Sequence, residues 1–265
     1  MGFQVAMGIN FSLNHFSNMN PFFIKYPSIL RKLYPNRITR LKDKKSIYLT
    51  FDDGPIPEIT PWVLEQLKQY NAKATFFCIG DNIKKNPEVF QQLIQEEHSI
   101  GNHTFNHLNG WKTKTEAYVK NVHKTEEIFL EHRKKRKKRE EGRNYKNQPQ
   151  ESKGETQENA KLATRNSQPE TSTQKLFRPP YGKIKNSQAT ELVKLNYKIV
   201  MWDVLSGDFE NRISKEKCFK NVIQNASEGS TVVFHDSQKA FKNLQYTLPK
   251  VLEYYAEKGF SFKSI

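Results

Sequence analysis

A chain of 265 residues with 36% hydrophobic and 12% aromatic residues can build a sizeable core in one large domain or two small ones. Its formal net charge of +15 favours anionic surroundings such as nucleic acid, cell-wall polymer or a membrane surface. Two cysteines, Cys78 and Cys218, exclude a disulfide framework and a CxxC pair, and no apolar run approaches the roughly 18 residues of a membrane span.

The opening, MGFQVAMGINFSLNH, has neither the basic start nor the long apolar stretch of a secretory signal. The default compartment is therefore the cytoplasm, with export to the cell envelope left open. Ala6 stands where myristoylation of Gly2 would want Ser or Thr. The first forty-odd residues show little periodicity and read as an irregular or partly helical extension. From Ser46 a rhythm sets in. Ile47–Phe51 reads as a strand, and Thr60-Pro61 as an N-cap followed by a first-turn proline. Val63, Leu64, Leu67 and Tyr70 then share one helical face. Ala74–Ile79 is a second strand, in which Cys78 serves as a small buried hydrophobe. Asn86-Pro87 opens a helix with Val89, Phe90, Leu93 and Ile94 inward, and Ser99–Ile100 is a short strand leading into GNHTFNH. A helix spans about Lys114 to Glu131.

The pattern then breaks. Residues 132–175 carry 13 Lys or Arg and 6 Asp or Glu, and 133–174 contains almost no large apolar residue. Such a stretch buries too little surface to offset its ordering entropy, so it is expected to be disordered or loosely helical. The rhythm resumes with strand Leu176–Phe177, helix 187–195, strand Lys198–Trp202, helix 215–225, strand Ser230–Phe234, helix 244–258 and strand Phe260–Phe262. Alternating strands and helices predict a parallel sheet or barrel covered by helices. In such folds functional groups gather at the C-terminal strand ends. Asp52, Asp53, His103, Arg178, Asp203 and His235 all fall there.

His103 and His107 are four residues apart, which on a helical turn puts both imidazoles on one face. Exposed or core histidines at that spacing are the plainer alternative. With a carboxylate from another strand end, the pair makes the two-His, one-acid set of a catalytic zinc that keeps one position open. That would account for FDDGP (51–55). A cation beside one aspartate keeps it ionised, and the other, close but not ligating, is then free to act as a general base on a metal-bound water. A solvated turn with an aspartate capping a helix remains the other reading of those residues.

TFDDGP (50–55), HTFNH (103–107), RPPYG (178–182), WDVLSGDF (202–209) and VVFHDS (232–237) stand in the order of five family motifs. The chain from about 46 to 265 resembles the polysaccharide deacetylases, carbohydrate esterase family four, also called the NodB homology domain. The resemblance implies a distorted (β/α) barrel of parallel strands ringed by helices. It divides the chain into an extension over 1–44 and a deacetylase domain over 45–265, interrupted at about 133–174. It implies that Asp52 is the catalytic base, that Asp53, His103 and His107 hold a zinc ion (cobalt being another suitable metal), and that Arg178 orients the base. It further implies that the Tyr181 backbone N–H helps hold the oxyanion, that His235 is the general acid and that Asp208 tunes it. Pro180, Trp202 and Val233 would contribute to the substrate pocket, with Trp202 equally readable as core. Asp203 and Asp236 carry no implied role beyond capping or loop hydrogen bonding. Phe209 stands where the family usually has Trp, and Val233 where it has Leu, which bears on pocket shape.

The implied activity is hydrolysis of acetyl groups from an N-acetylglucosamine polymer such as peptidoglycan or chitin oligomers. Three alternatives follow from the same residues: an O-acetyl xylan esterase, an inactive barrel that binds polysaccharide or polyanion, and a magnesium-dependent phosphate hydrolase. The last is disfavoured by histidine ligands. The basic insertion is expected to contact an anionic polymer and to be dispensable for chemistry. No specific protein partner is implied.

Overall fold

The computed structural model describes the backbone of residues 23–146 and 174–265, and the side chains of all of these except 136–146. Expectations for 1–22 and 147–173 lie outside the described residues. Eight parallel strands form one sheet: β1 (Ser46–Asp53), β2 (Thr75–Cys78), β3 (Ser99–Asn102), β4 (Lys175–Phe177), β5 (Tyr197–Ile199), β6 (Val204–Leu205), β7 (Thr231–His235) and β8 (Ser261–Phe262). The order across the sheet is β5-β4-β3-β2-β1-β7-β6, and β8 pairs with the start of β1. Helices cover it: α1 (Ser28–Leu33), α2 (Ile59–Gln69), α3 (Gly80–Lys85), α4 (Pro87–Gln95), α5 (Thr115–Lys146), α6 (Asn186–Lys194), α7 (Lys215–Ile223) and α8 (Phe241–Glu257). The expected distorted barrel of parallel strands is thus an open, curled sheet with helices outside. Among the described residues, no helix is long and apolar enough to cross a membrane.

β1 lies at the middle of the sheet and is buried from Ser46 to Asp52. A strand covered on both faces reads as a nearly continuous apolar run. Its side chains nevertheless alternate. Ile47, Leu49 and Phe51 face the helices, where they join Val63, Leu64 and Leu67 of α2, Phe90 and Leu93 of α4, and Leu244, Leu248, Val251 and Leu252 of α8. Phe51 stacks between Phe76 (ring centroids 5.0 Å) and Phe234 (5.9 Å). Removing such a ring from a packed core costs about 3–5 kcal/mol. The other face of β1 carries Thr50 and Asp52 toward the inside of the curl, level with Phe77 of β2 and His235 of β7. The period of two therefore separates the side that holds the fold from the side that holds the chemistry.

Several elements differ from the sequence expectation. α5 does not stop near Glu131 but runs on to Lys146, so the first part of the insertion is helical. Among the described side chains its last buried ones are Phe129 and His132. Beyond them the sequence is rich in Arg, Lys and Glu, which are strong helix formers. α2 begins at Ile59 rather than after a cap at Thr60, because the Thr60 hydroxyl donates to Asp236 Oδ2 (2.6 Å) while accepting from the Ile56 N–H (2.8 Å). α3 and β6 were not expected at all.

Residues 23–40 act as a strap across the open side of the sheet. Ile38 bridges to Val200, Lys25 to Val204 and Arg40 to Ser230. Beneath the strap lies Asp203, fully buried, which accepts from Lys25 Nζ (2.9 Å), Ser230 Oγ (2.6 Å) and Arg31, with Arg40 Nη1 at 3.3 Å. Asp203 is therefore an anchor for three cations of the N-terminal segment, not a helix cap.

Candidate active site

The C-terminal ends of β1, β3, β4 and β7 bring together Asp52, Asp53, His103, His107, Arg178 and His235. Asp52 ends the inner row of β1 and is 5% exposed. Arg178, which follows β4, donates from Nη1 to Asp52 Oδ1 (2.7 Å) and to the Thr50 hydroxyl (2.7 Å), and from Nη2 to the Met201 carbonyl (2.8 Å). Its guanidinium also lies 4.1 Å over the Phe77 ring. With so many fixed partners the arginine has one pose, and it aims one N–H at one carboxylate oxygen. Burial pushes the Asp52 carboxyl up, but Arg178, with smaller help from His103 and His235, outweighs it and holds the group below its ordinary value.

Asp53 would point away from Asp52 if the strand stayed pleated. Its φ of 86° breaks the pleat, and the Asn82 side chain pins the turned carbonyl (2.7 Å). The carboxylate comes round to the loop after β3. Asp53 Oδ1 then stands 3.3 Å from His107 Nε2 and 3.8 Å from His103 Nε2. The HTFNH segment is a bent loop rather than the expected helical turn, with left-handed backbone at Thr104 (φ 64°) and His107 (φ 54°). Side chains impose that path. Asn102 Oδ1 accepts from the Thr104 N–H, and Asn121 Oδ1 accepts from the N–H groups of Phe105 and Asn106. Non-glycine residues in this region cost about 1–3 kcal/mol each, and such strain gathers at functional sites.

The three side chains fit a metal ion. Asp53 Oδ1 is buried and has no hydrogen-bond partner. The far nitrogen of each ring is held, His103 Nδ1 by the Arg178 carbonyl (2.8 Å) and His107 Nδ1 by the Tyr181 hydroxyl (3.1 Å), so both Nε2 atoms face the carboxylate. Burial lowers both imidazoles, His107 to about 4, which keeps them neutral with a lone pair to give. Tetrahedral ligands about 2.0–2.2 Å from one cation stand roughly 3.3–3.6 Å apart, close to the separations seen. Two His and one carboxylate with an open side are the donor set of a catalytic transition-metal site.

Opposite this cluster, the His235 Nδ1–H donates to Asp208 Oδ1 (2.9 Å), while its backbone N–H donates to Asp208 Oδ2 (2.8 Å). Burial opposes protonation of this ring, but the Asp208 carboxylate outweighs it and raises the imidazole to about 9. Phe209 packs its ring at 4.8 Å against His235, filling the place where the family pattern has Trp.

The remaining expected residues are distributed around this core. Tyr181 has a left-handed backbone (φ 60°) and a ring that is 61% exposed; among the described residues its N–H has no acceptor. Pro180 is buried beneath it. Trp202 is half-buried, lies edge-on to Tyr26 and donates its indole N–H to the Phe23 carbonyl (3.1 Å). It also abuts Gly182, where a Cβ would come within 2.7 Å of its ring. Val233 is buried on the inner face two residues below His235, so it supports the floor rather than lining an open pocket. Asp236 is raised to about 7 by burial and fastens the turn after Asp53 through the Gly54 N–H (3.0 Å) and Thr60. A Cβ on Gly54 would meet Asp236 Oδ2 at 1.9 Å.

Comparison with known proteins accords with this arrangement. Residues 39–139 match the family model described as polysaccharide deacetylase. One peptidoglycan-N-acetylglucosamine deacetylase of Bacillus cereus is 33% identical over 74% of this chain, which spans only 57% of that relative's length. A second from the same organism is 30% identical over 84% of this chain and 87% of its own. The crystal structure of the Bc1960 peptidoglycan N-acetylglucosamine deacetylase superposes with a TM-score of 0.68 at 29% identity, covering 86% of this chain and 90% of that one. A curled parallel sheet with two carboxylates at the end of its central strand, matched over most of its length by such relatives, leaves one conclusion: the chain belongs to the polysaccharide deacetylase family.

Proposed function

We propose that this protein removes N-acetyl groups from an N-acetylglucosamine-containing glycan, of the peptidoglycan or chitin type. One observation carries the reading: a base candidate (Asp52–Arg178), a metal-ligand set (Asp53, His103, His107) and an acid candidate (His235–Asp208) converge on one mouth of the sheet. Amide hydrolysis needs an activated water, a place for negative charge on the carbonyl oxygen, and a proton for a poor amine leaving group. A zinc ion held by Asp53, His103 and His107 would supply the first and share in the second. Asp52 takes the proton from the attacking water through the oxygen that Arg178 does not occupy. Arg178 keeps that carboxylate ionised and oriented. The Tyr181 N–H, without another acceptor, donates to the developing oxyanion. His235, held in its charged form by Asp208, gives its proton to the departing amine.

The complete set of seven charged or ligating side chains argues against an inactive barrel, for which none of them need stay aligned. O-acetyl ester cleavage would use the same groups and is distinguished by turnover. The test is incubation of the zinc-loaded protein with chitin oligomers and with peptidoglycan fragments, read by mass spectrometry. Loss of acetyl mass from the sugar amides is expected. A zinc-loaded, folded protein that leaves both glycans intact, or cleaves only acetyl esters, overturns the proposal.

A further inference from the structure

Beside the acid half of the site lies a cleft of about 760 Å³ that the mechanism above does not use. That is the size of a pocket for a small chemical group or a short piece of polymer. Its walls come from the loop after Phe209, the start of α7, the turn between β7 and α8, and the first turn of α8. It adjoins the reacting centre through Asn243, whose side-chain amide donates to the Asp208 carbonyl (3.2 Å) and the Ile213 carbonyl (3.2 Å). The turn that supplies Lys239 begins directly after His235. A glycan whose acetamido group reaches His235 would carry its neighbouring substituents toward this side of the site.

The charge in the cleft is one-sided. Four cations line it, Arg212, Lys215, Lys239 and Lys242, against the single acid Glu216. Arg212 is taken up by Glu210, to which it donates from Nε (2.9 Å) and Nη2 (2.8 Å). Glu216 is occupied at the head of its own helix, accepting from its own backbone N–H and from Ser214. Lys215 lies over the Tyr246 ring at 4.7 Å. Among the described residues Lys215, Lys239 and Lys242 form no ion pair with any carboxylate. Three ammonium groups without a salt-bridge partner around one concavity raise the local concentration of anions.

Resting on the deacetylase reading, we infer that this cleft takes a carboxylate carried by a substituent of the same glycan. It thereby favours an acidic, peptide-bearing peptidoglycan strand over a neutral chitin-type oligomer. A neutral oligomer offers these lysines nothing but hydroxyls. A peptidoglycan strand presents carboxylates on the lactyl-linked stem peptides that alternate with its N-acetylglucosamine units.

The double substitution Lys239→Gln/Lys242→Gln tests this, since both side chains are exposed and outside the catalytic set. Wild type and variant are compared on three substrates: a neutral N-acetylglucosamine oligomer, a peptidoglycan fragment with free stem-peptide carboxylates, and the same fragment with those carboxylates amidated. Loss of two exposed ion pairs predicts a rise in KM of roughly three- to tenfold on the acidic fragment alone. The rise should fade as ionic strength approaches about 0.5 M, where screening shortens to roughly 4 Å. A change equal on all three substrates, or none on the acidic one, overturns the inference. If the wild type deacetylates none of them, it is the deacetylase reading that falls. Calorimetric binding of the free and amidated fragments to both proteins then judges the cleft separately, with equal affinities counting against it.

Discussion

Asp52 and Asp203 are both buried aspartates next to strand ends, and the sheet treats them in opposite ways. Asp203 is saturated: one oxygen meets Arg31, the other meets Lys25, Arg40 and the Ser230 hydroxyl. Asp52 is held by one guanidinium on one oxygen, and among the described residues its second oxygen has no protein donor. A carboxylate whose lone pairs are all taken is a fastener. One that is oriented, ionised and half-used can accept a proton. Burial alone therefore does not mark a catalytic acid or base; the number of unoccupied lone pairs does.

The sharpest way to break that contrast is Asp52→Asn. Turnover should fall by about 10²–10⁴-fold, the usual worth of a positioned base, while metal content measured by atomic absorption stays at one per chain. A variant that keeps turnover, or loses its metal, removes Asp52 from the role given to it.

Asp208→Asn probes a third buried carboxylate, one that serves another side chain. With Asp208 present, His235 keeps its proton up to about 9. The acid form is the active one, so activity should fall as pH rises through that value, and no later. Without the carboxylate, only Asp52 and Asp53 still oppose burial, and the alkaline limb should move to clearly lower pH. The loss is then roughly ten- to hundredfold at pH 8 and much smaller at pH 6. A limb that does not move assigns the titration to another group.

Tyr181→Phe removes only the hydroxyl at His107 Nδ1. Partners of metal-bound histidines are worth about 10–100-fold in affinity, and this exposed one belongs at the lower end, so zinc should bind about tenfold more weakly in a chelator competition. An unchanged affinity means that the hydroxyl does not orient the ring.

Asp203→Asn should have the smallest effect on turnover, under about threefold, because it touches no reacting group. Its effect belongs to stability. The three cations are each about one-third exposed and can be partly rehydrated, which limits the loss to about 1–3 kcal/mol. In a chain of this size that is a fall in Tm of about 2–10 °C. A large loss of kcat with unchanged Tm would dissolve the distinction between the two aspartates.

Most of the sheet was legible because buried strands and amphipathic helices write their periods into neighbouring residues. β6 was not, since Val204-Leu205 follows closely on the expected strand Lys198–Trp202 with no turn signal between them. α3, only six residues long, was hidden by the helix after it. The HTFNH loop was misread as a helical turn because its backbone is set largely by side chains outside it, Asn102 at the end of β3 and Asn121 on α5. The insertion was expected to be disordered or loosely helical, and only the end of α5, set at Glu131 where the apolar residues stop, was placed too early. Within the site, motif order placed Asp52, Asp53, His103, His107, Arg178, Asp208 and His235. The anchoring role of Asp203 left no local trace, because Lys25 and Arg31 lie 178 and 172 positions away in the chain.

That separation has a consequence for how the molecule is made. During synthesis Arg40 leaves the ribosome well before Asp203 does, at about 5–20 residues per second roughly 10–30 s earlier. Through that interval the strap has basic side chains but no carboxylate to close on. β5, at one edge of the nascent sheet, lies open until Ile38 can bridge to Val200, and an unpaired edge is a template for pairing with other chains. The segment translated before the whole sheet is thus among the last to dock on it.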